Sequence, residues 1–295
     1  MKIRRSAEDW ILDTIIYSIL IIILVFTLYP FYYTLVVSLN SGLDTNMGGI
    51  YLWPRKFTLA NYMYFLKNSQ WTDAFLITVL RTVVGTFLSV LFTSMVAYGL
   101  SKKDLKFRSF YFVIIIFAMN FSGGLIAFYV VLRSLGLLDT FGVYVIPTML
   151  NLFFLLISVS FYQEIPSELG ESARMDGAGE LKIFLRLILP LSLPLVATMS
   201  LFIGSGQWNS WLDSAYFVQS QHLRTLAYQM IQVINQSMIP ATSNAVTNLQ
   251  RSTVAVTSFS VQTAAMIISI APIVCVYPFI QKYFVKGIML GSVKG

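Results

Sequence analysis

The sequence predicts an all-α polytopic membrane protein, and three features of the chain lead to this class. Of its 295 residues, 57% are hydrophobic and only 11% are charged, whereas soluble domains carry about 25% charged residues. The mean hydropathy is +0.73, so a soluble fold would lack the polar side chains to cover its surface. Apolar runs long enough to cross a bilayer also recur along the chain. A soluble enzyme, a disordered chain and, with one cysteine, a disulfide scaffold are therefore excluded.

Six stretches have the length of a membrane span, which needs about 20 mostly apolar residues. They are 14–39, 74–100, 109–132, 142–162, 191–212 and 263–283. The first run is too long for a cleaved signal peptide, and no small-residue cleavage site follows it. The second carries small residues at four-residue spacing, which predicts close helix packing in lipid. These residues are Gly85, Ser89, Thr93 and Ala97.

The distribution of basic residues predicts the orientation of the spans. With the N-terminus inside, thirteen of the 20 Lys and Arg residues fall on the cytoplasmic side and seven on the outer side. The positive-inside rule therefore places both termini in the cytoplasm, as an even number of spans requires. The net charge of +7 is then explained by basic loops, with no nucleic acid as a partner. Arg81, just inside the second span, is expected to snorkel to the outer interface.

Charged residues are concentrated in the cytoplasmic segment 163–190, which holds eight of the chain's 33 charges. Its pattern predicts two short helices, the first capped by Ser167 and the second opened by Glu180, with a break at Gly177 and Gly179. Pro190 is expected to end the second helix at the membrane. The apolar stripe of that helix is predicted to be Leu181, Leu185 and Ile188.

The outer segment 213–262 is long and rich in amides and hydroxyls. It is either a passive connection or a docking surface for an external partner. Leu226 to Ile234 has helical character, and Pro240 marks a break. The lone histidine, His222, has no second His or Cys nearby, so no metal site is predicted.

The segment 163–190 also carries a spaced motif. Glu171-Ser172-Ala173, three residues, Gly177, nine residues and a run ending in Leu189-Pro190 resembles the Glu-Ala-Ala loop of ATP-binding-cassette (ABC) importer permeases. Ser172 stands where that pattern has Ala, and Leu187 where it has Ile. Further blocks resemble the sugar-importing branch of the maltose type, in its smaller permease subunit: LWPRKFTLANY, LITVLRTVVGT, FSGGLIAFYVVLRSLGLLDTF, GQWNSWLDS and YPFIQKYFVKGIMLGSVKG. Among polysaccharide and oligosaccharide importers the alginate type is the strongest resemblance, with the rhamnogalacturonan type close behind.

The resemblance implies a single ABC-importer transmembrane domain over 1–295 that lies in the cytoplasmic (inner) membrane of a bacterium. It also implies that several subunits share the work of transport. The loop would be a coupling helix seated in a cleft of an ATPase subunit. Its coupling residues would be Glu171, Ser172, Ala173, Arg174, Asp176, Gly177, Leu189 and Pro190. The expected partners are a second homologous permease, two ATPase subunits, an extracytoplasmic solute-binding protein, the sugar and the bilayer. ATP and magnesium would bind the ATPase subunits, with no cofactor on this chain. The alternative for the loop is a solvated charged connection.

Sugars are bound by aromatic faces together with amides and carboxylates. Trp208, Asn209, Trp211 and Asp213 supply these groups near the outer end of the fifth span, although an interfacial aromatic belt explains the tryptophans equally well. Asn120 and Tyr129 are further candidates for the sugar path.

Two other functional classes stay open from the sequence. A polytopic membrane glycosyl- or acyltransferase would need acidic or histidine residues at the membrane face, and the one dense cluster is explained by coupling. A secondary carrier usually keeps ionisable groups at mid-membrane. The sequence contains no phosphate-binding Gly-x4-Gly-Lys loop and no paired His or Cys, so no catalytic residue is predicted.

Overall fold

The computed structural model describes residues 7–238 and 257–291, and most of these residues are helical. In chain order the helices are α1 (Ala7–Ser38), α2 (Gly42–Asn46), α3 (Ala60–Lys67), α4 (Ser69–Ser101), α5 (Arg108–Asn120), α6 (Gly124–Ser134), α7 (Gly142–Val145), α8 (Leu152–Gln163), α9 (Ser167–Met175), α10 (Glu180–Ile183), α11 (Leu189–Leu191), α12 (Leu193–Asn209), α13 (Leu212–Phe217), α14 (Leu226–Met238) and α15 (Ser258–Gly291). Short 3-10 turns occupy Ile146–Thr148 and Gln221–Leu223, and a π segment occupies Phe184–Ile188. No strand occurs in the described ranges, which confirms the all-α class.

The chain divides into two compact units. One is built from Met1–Asn68 and Met230–Ala271, and the other from Ser69–Gln229 and Pro272–Gly295. The single domain predicted over 1–295 stays a prediction.

In the first unit, α1 presents apolar side chains on all sides, as a lipid-facing helix does. Its hydroxyls bond back to their own helix: Thr14 Oγ1 donates to the carbonyl of Trp10, and Ser18 Oγ donates to that of Thr14. After α1, the buried Asn40 side chain accepts a bond from the Lys56 amide at 2.8 Å and donates to Asp44 at 3.0 Å. These bonds hold the turn that follows the helix.

The second unit is organised around α4, which packs against α8 and α12. The small-residue stripe predicted on this helix lies on the packed face, where Ser89, Thr93 and Ala97 are fully buried. At Gly85 an added Cβ would lie 3.0 Å from the Gln207 side chain. The prediction of close helix packing is therefore confirmed.

Several predicted spans are bent, so the number of spans stays a prediction. Asp9–Ser38 and Ser69–Ser101 are each long and apolar enough to cross a membrane. Three further candidates are bent pairs, with angles of 115° between α5 and α6, 44° before α8 and 83° between α11 and α12. The first of these falls within the predicted span 109–132. The first helix of this pair ends at Asn120 before an extended Phe121, and the second begins at Gly124, whose φ of +77° favours glycine.

Candidate functional site

A buried arginine lies at the centre of the second unit. Arg81 on α4 is 1% exposed and donates two bonds to Asp213, from Nη1 at 3.0 Å and from Nη2 at 2.5 Å. Its Nε and Nη2 also donate to Oε1 of Gln207, at 3.2 and 2.9 Å. The expectation that Arg81 snorkels to the outer interface is therefore wrong. A buried guanidinium needs an acidic partner, and the fold supplies one from α13.

The same arginine connects four helices. Its guanidinium carbon lies 4.4 Å from the ring centre of Tyr144 on α7, which is cation–π distance. Gln207 on α12 accepts from Arg81 and donates through Nε2 to Thr148 Oγ1 at 2.8 Å. The Tyr144 hydroxyl donates to the carbonyl of Leu223 at 2.8 Å. The contacts of Arg81 thus bring α4, α7, α12 and α13 together.

A cavity of about 250 Å³ adjoins this cluster. Its walls combine two aromatic rings with amide, hydroxyl and charged groups: Arg81, Ser89, Thr148, Asn151, Phe154, Phe202, Ile203, Gly206, Gln207, Ser210 and Asp213. The volume is below the roughly 300 Å³ at which sites for drug-sized ligands begin. Chemically, this lining is able to stack against a small ring and hydrogen-bond its substituents.

One of the six residues predicted on the sugar path, Asp213, lines this cavity, and the structure places the other five elsewhere. Trp208 is buried, with its ring edge-on to Phe75 at 6.2 Å. Asn209 is exposed and bonds the carbonyl of Ser205, and Trp211 is 36% exposed.

The remaining two predicted path residues lie on α5 and α6. Asn120 is exposed at the break between these helices, where Nδ2 donates to the carbonyl of Ile116 at 2.8 Å. Tyr129 is half-buried and packs on Phe217, with ring centres 6.3 Å apart. The sequence did not single out Gln207, although this residue directly precedes Trp208 in the block GQWNSWLDS.

The loop 163–190 begins with α9. The helix starts at Ser167 itself, and Pro166 precedes it without a side-chain capping bond. The predicted Ser167 cap is therefore wrong, because Ser167 already lies in the first turn. Glu168 occupies that turn, where a negative charge is favourable.

The C-terminus of α9 explains the glycine of the motif. The Ala178 amide donates to the carbonyl of Ala173 at 3.0 Å, and the Gly177 amide donates to that of Arg174 at 2.9 Å. These two bonds with a left-handed Gly177, whose φ is +76°, form a Schellman motif. The spacing from Ala173 to Gly177 therefore sets where the helix ends.

One face of α9 is exposed to solvent. Glu171, Ser172, Arg174 and Asp176 are exposed, as is Met175 at 88%. Ala173 is half-buried against the apolar core of the unit. The other end of the loop lies in α11, which ends at Leu191. There Leu189 is half-buried and Pro190 is exposed.

The predicted apolar stripe of the second loop helix is only partly correct. Ile188 is buried, but Leu181 and Leu185 are 58% and 45% exposed, while Ile183 and Phe184 are buried in their place. For Leu185 the reason is the π segment Phe184–Ile188, whose i→i+5 pairing changes which residues share a face with Ile188.

Within its described part, the segment 213–262 contains most of α13, the turn at 221–223 and α14. The helical character predicted for Leu226 to Ile234 is confirmed by α14. Asp139 accepts bonds from the Ser220 hydroxyl at 2.6 Å and from the Ser220 and Gln219 amides. These bonds, led by the hydroxyl, lower the pKa of Asp139. Pro240 lies outside the described residues. Within the described ranges, no group of three His, Cys, Asp or Glu residues is placed to hold a metal ion.

Comparisons with known proteins agree on one family. The sequence profile described as "Binding-protein-dependent transport system inner membrane component" matches residues 66–290. Protein LplC of Bacillus subtilis is 36% identical over 91% of this chain and 90% of its own length. The polygalacturonan/rhamnogalacturonan transport system permease protein YtcP of the same organism is 35% identical over 98% of this chain and 100% of its own. A chain from the crystal structure of a bacterial ABC transporter involved in the import of the acidic polysaccharide alginate matches with a TM-score of 0.86 and 28% identity. That match covers 96% of this chain and 100% of the other.

Proposed function

Since this chain belongs to the family of binding-protein-dependent transport system inner membrane components, we propose that it is the smaller permease subunit of an ATP-driven importer for acidic oligo- or polysaccharides. It is a transport subunit, and ATP is hydrolysed on separate ATPase subunits. The membrane glycosyl- or acyltransferase considered from the sequence is set aside, because the relatives include a transport system permease and a chain of an ABC transporter.

The observation that carries this function is the geometry of the loop 163–190. A short helix with an exposed outer face ends in a Schellman motif, and a second helix returns to the bundle. This projection is suited to a cleft on an ATPase subunit, as the Glu-Ala-Ala resemblance implies. Glu171, Ser172, Arg174, Asp176 and Gly177 lie on its exposed part.

The remaining partners follow from the same proposal. A second permease completes the translocation path, and two ATPase subunits bind ATP and magnesium on the cytoplasmic side. An extracytoplasmic binding protein delivers the sugar to the outer segment 213–262. The chain spans the inner membrane six times with both termini in the cytoplasm, as the distribution of Lys and Arg supports.

The substrate class is supported by the relatives and by the cavity. The relatives include a polygalacturonan/rhamnogalacturonan permease and a chain of an alginate importer. In this chain the cavity offers Phe154 and Phe202 for stacking, with Asn151 and Ser210 for hydroxyl groups. Its volume suits a single sugar ring as the polymer passes. Trp208, Asn209, Trp211, Asn120 and Tyr129 stay candidates for other parts of the path.

The test is reconstitution of the complete importer in proteoliposomes with its binding protein. Alginate and polygalacturonan oligosaccharides should each be compared with neutral maltooligosaccharides for stimulation of ATP hydrolysis and for uptake. Stimulation by an acidic series supports the proposal. Stimulation by the neutral series alone would contradict the substrate class and leave transport intact, whereas no stimulation by any sugar would contradict the function itself.

A further inference from the structure

We propose that Glu180 is the positioning residue that joins the coupling loop to the cytoplasmic end of α4, so that a displacement of the loop moves the membrane bundle with it. This inference rests on the proposed function. It assigns a transmitting role to a residue in the nine-residue spacer of the Glu-Ala-Ala motif, at none of the positions that the motif specifies.

Both oxygens of the Glu180 carboxylate are engaged, and by different parts of the chain. Oε1 accepts a bond from Arg174 Nε at 2.7 Å, and Arg174 lies in the last turn of α9. Oε2 accepts a bond from the Tyr98 hydroxyl at 2.7 Å, and Tyr98 lies in the last turn of α4. One carboxylate therefore joins the motif helix α9 to the membrane-spanning helix α4. Tyr98 and Glu180 are 82 positions apart in sequence.

Lys102 contacts both Tyr98 and Glu180, so that the three side chains contact one another. Its Nζ donates to the Tyr98 oxygen at 2.7 Å and lies 3.2 Å from Glu180 Oε2. The same ammonium lies 4.2 Å from the centre of the Tyr98 ring. Tyr98 thus accepts from Lys102 and donates to Glu180, which fixes the direction of its hydroxyl hydrogen. A hydroxyl held from both sides is better oriented than one with a single partner.

Apolar packing backs the same connection. The Tyr98 ring lies 5.6 Å from the ring of Phe184, which directly follows α10. Phe184 and Ile183 are buried in the core that also contains Ala97 and Leu100 of α4. The Glu180 side chain is 54% exposed, so polar contacts hold it in position. Phe184 is held in position by its burial in the core. Together they make the second loop helix and the end of α4 one body.

The charge state of the carboxylate suits this role. The hydrogen bond from Tyr98, with further bonds from Arg174 and Lys102, lowers the pKa of Glu180 to about 2. The side chain is therefore ionised at any pH at which the cell operates. The contacts of this carboxylate with Arg174 and Tyr98 therefore do not depend on pH in the physiological range.

The decisive variants remove these contacts and leave the surrounding packing in place. Glu180→Gln removes the charge at nearly constant shape, and Tyr98→Phe removes the hydroxyl while it keeps the ring against Phe184. The matched control is Glu164→Gln, which removes another exposed carboxylate beside the same loop. All variants are studied as the complete importer in proteoliposomes, with the binding protein and with alginate or polygalacturonan oligosaccharides.

The readout is the number of sugar molecules imported per ATP hydrolysed, together with the ATPase content of the purified complex. Residues along a coupling route change coupling by about two- to thirtyfold when altered. We expect a loss of that size in the transport ratio for Glu180→Gln and Tyr98→Phe, with normal ATPase content and an unchanged control. A residue that only stabilised the fold would lower the amount of complex and leave the ratio unaltered.

The outcomes separate this inference from the function on which it rests. A wild-type complex that no sugar stimulates would overturn both. A stimulated wild type with normal ratios in both variants would overturn the role of Glu180 alone. Loss of the ATPase subunits from both variants would also overturn it, because the residue would then act in assembly.

Discussion

The interaction between Arg81 and Asp213 gives the sharpest prediction, because its removal leaves a charge inside the bundle. Asp213→Asn keeps the shape of the side chain and removes the negative charge that Arg81 contacts at 3.0 and 2.5 Å. Loss of one member of a buried ion pair costs about 3–5 kcal/mol. Gln207 and the Tyr144 ring still contact the guanidinium, and the Asp213 side chain is 18% exposed. We therefore expect the lower end of that range, about 3 kcal/mol.

The assay is equilibrium unfolding of the purified subunit in mixed detergent micelles, followed by tryptophan fluorescence. The matched control is Asp104→Asn at an exposed position, where the change should stay within about 0.5 kcal/mol. Arg81→Met and the double variant complete a mutant cycle. Because the two residues share one interaction, the double variant should cost less than the sum of the single variants, by about 2 kcal/mol. Additive costs, or an Asp213→Asn variant as stable as the control, would refute the reasoning.

Four further predictions concern the loop and the cavity. Gly177→Ala should destabilise the subunit by about 1 kcal/mol in the same unfolding assay, because a Cβ is unfavourable at a φ of +76°; an unchanged unfolding curve would count against the Schellman motif. Glu171→Lys should lower sugar-stimulated ATP hydrolysis while the complex still assembles, and wild-type stimulation would argue against docking through this face. The Glu180 carboxylate, with a pKa near 2 against an ordinary 4.5, stabilises the fold above pH 4.5 and loses that effect as the pH falls toward 2. The stability difference between wild type and Glu180→Gln should thus be constant from pH 5 to 8 and shrink below pH 4, and a difference that instead varied between pH 5 and 8 would contradict this. Phe202→Ala should reduce sugar uptake because the ring lines the cavity, whereas Trp208→Phe, which keeps an aromatic ring against Phe75, should transport normally. The reverse ranking of these two variants would move the sugar path away from the cavity.

Much of the architecture was predictable because membrane spans and helix ends are encoded locally. A run of apolar residues such as 14–39 predicts a long helix, and α1 and α4 are long helices. The stripe from Gly85 to Ala97 predicts a packed face, since its spacing repeats on one side of a helix. The spacing from Glu171 to Gly177 predicts a short helix that ends at glycine, and α9 ends there. Each of these signals lies within a few turns of chain.

Features that depend on partners distant in sequence were decided only by the tertiary structure. Arg81 looked like a snorkelling residue because its partner Asp213 lies 132 positions away, and no local pattern joins them. Asp213 was picked out as a sugar ligand because a carboxylate beside two tryptophans has that chemistry in isolation. The fold of the second unit also brings it from α13 to the arginine, since a buried cation must be paired. Glu180 likewise reads only as the first residue of a helix until the fold places Tyr98 and Lys102 beside it. Sequence alone therefore determined which segments are helical and where the loop projects, while packing decided which charges meet.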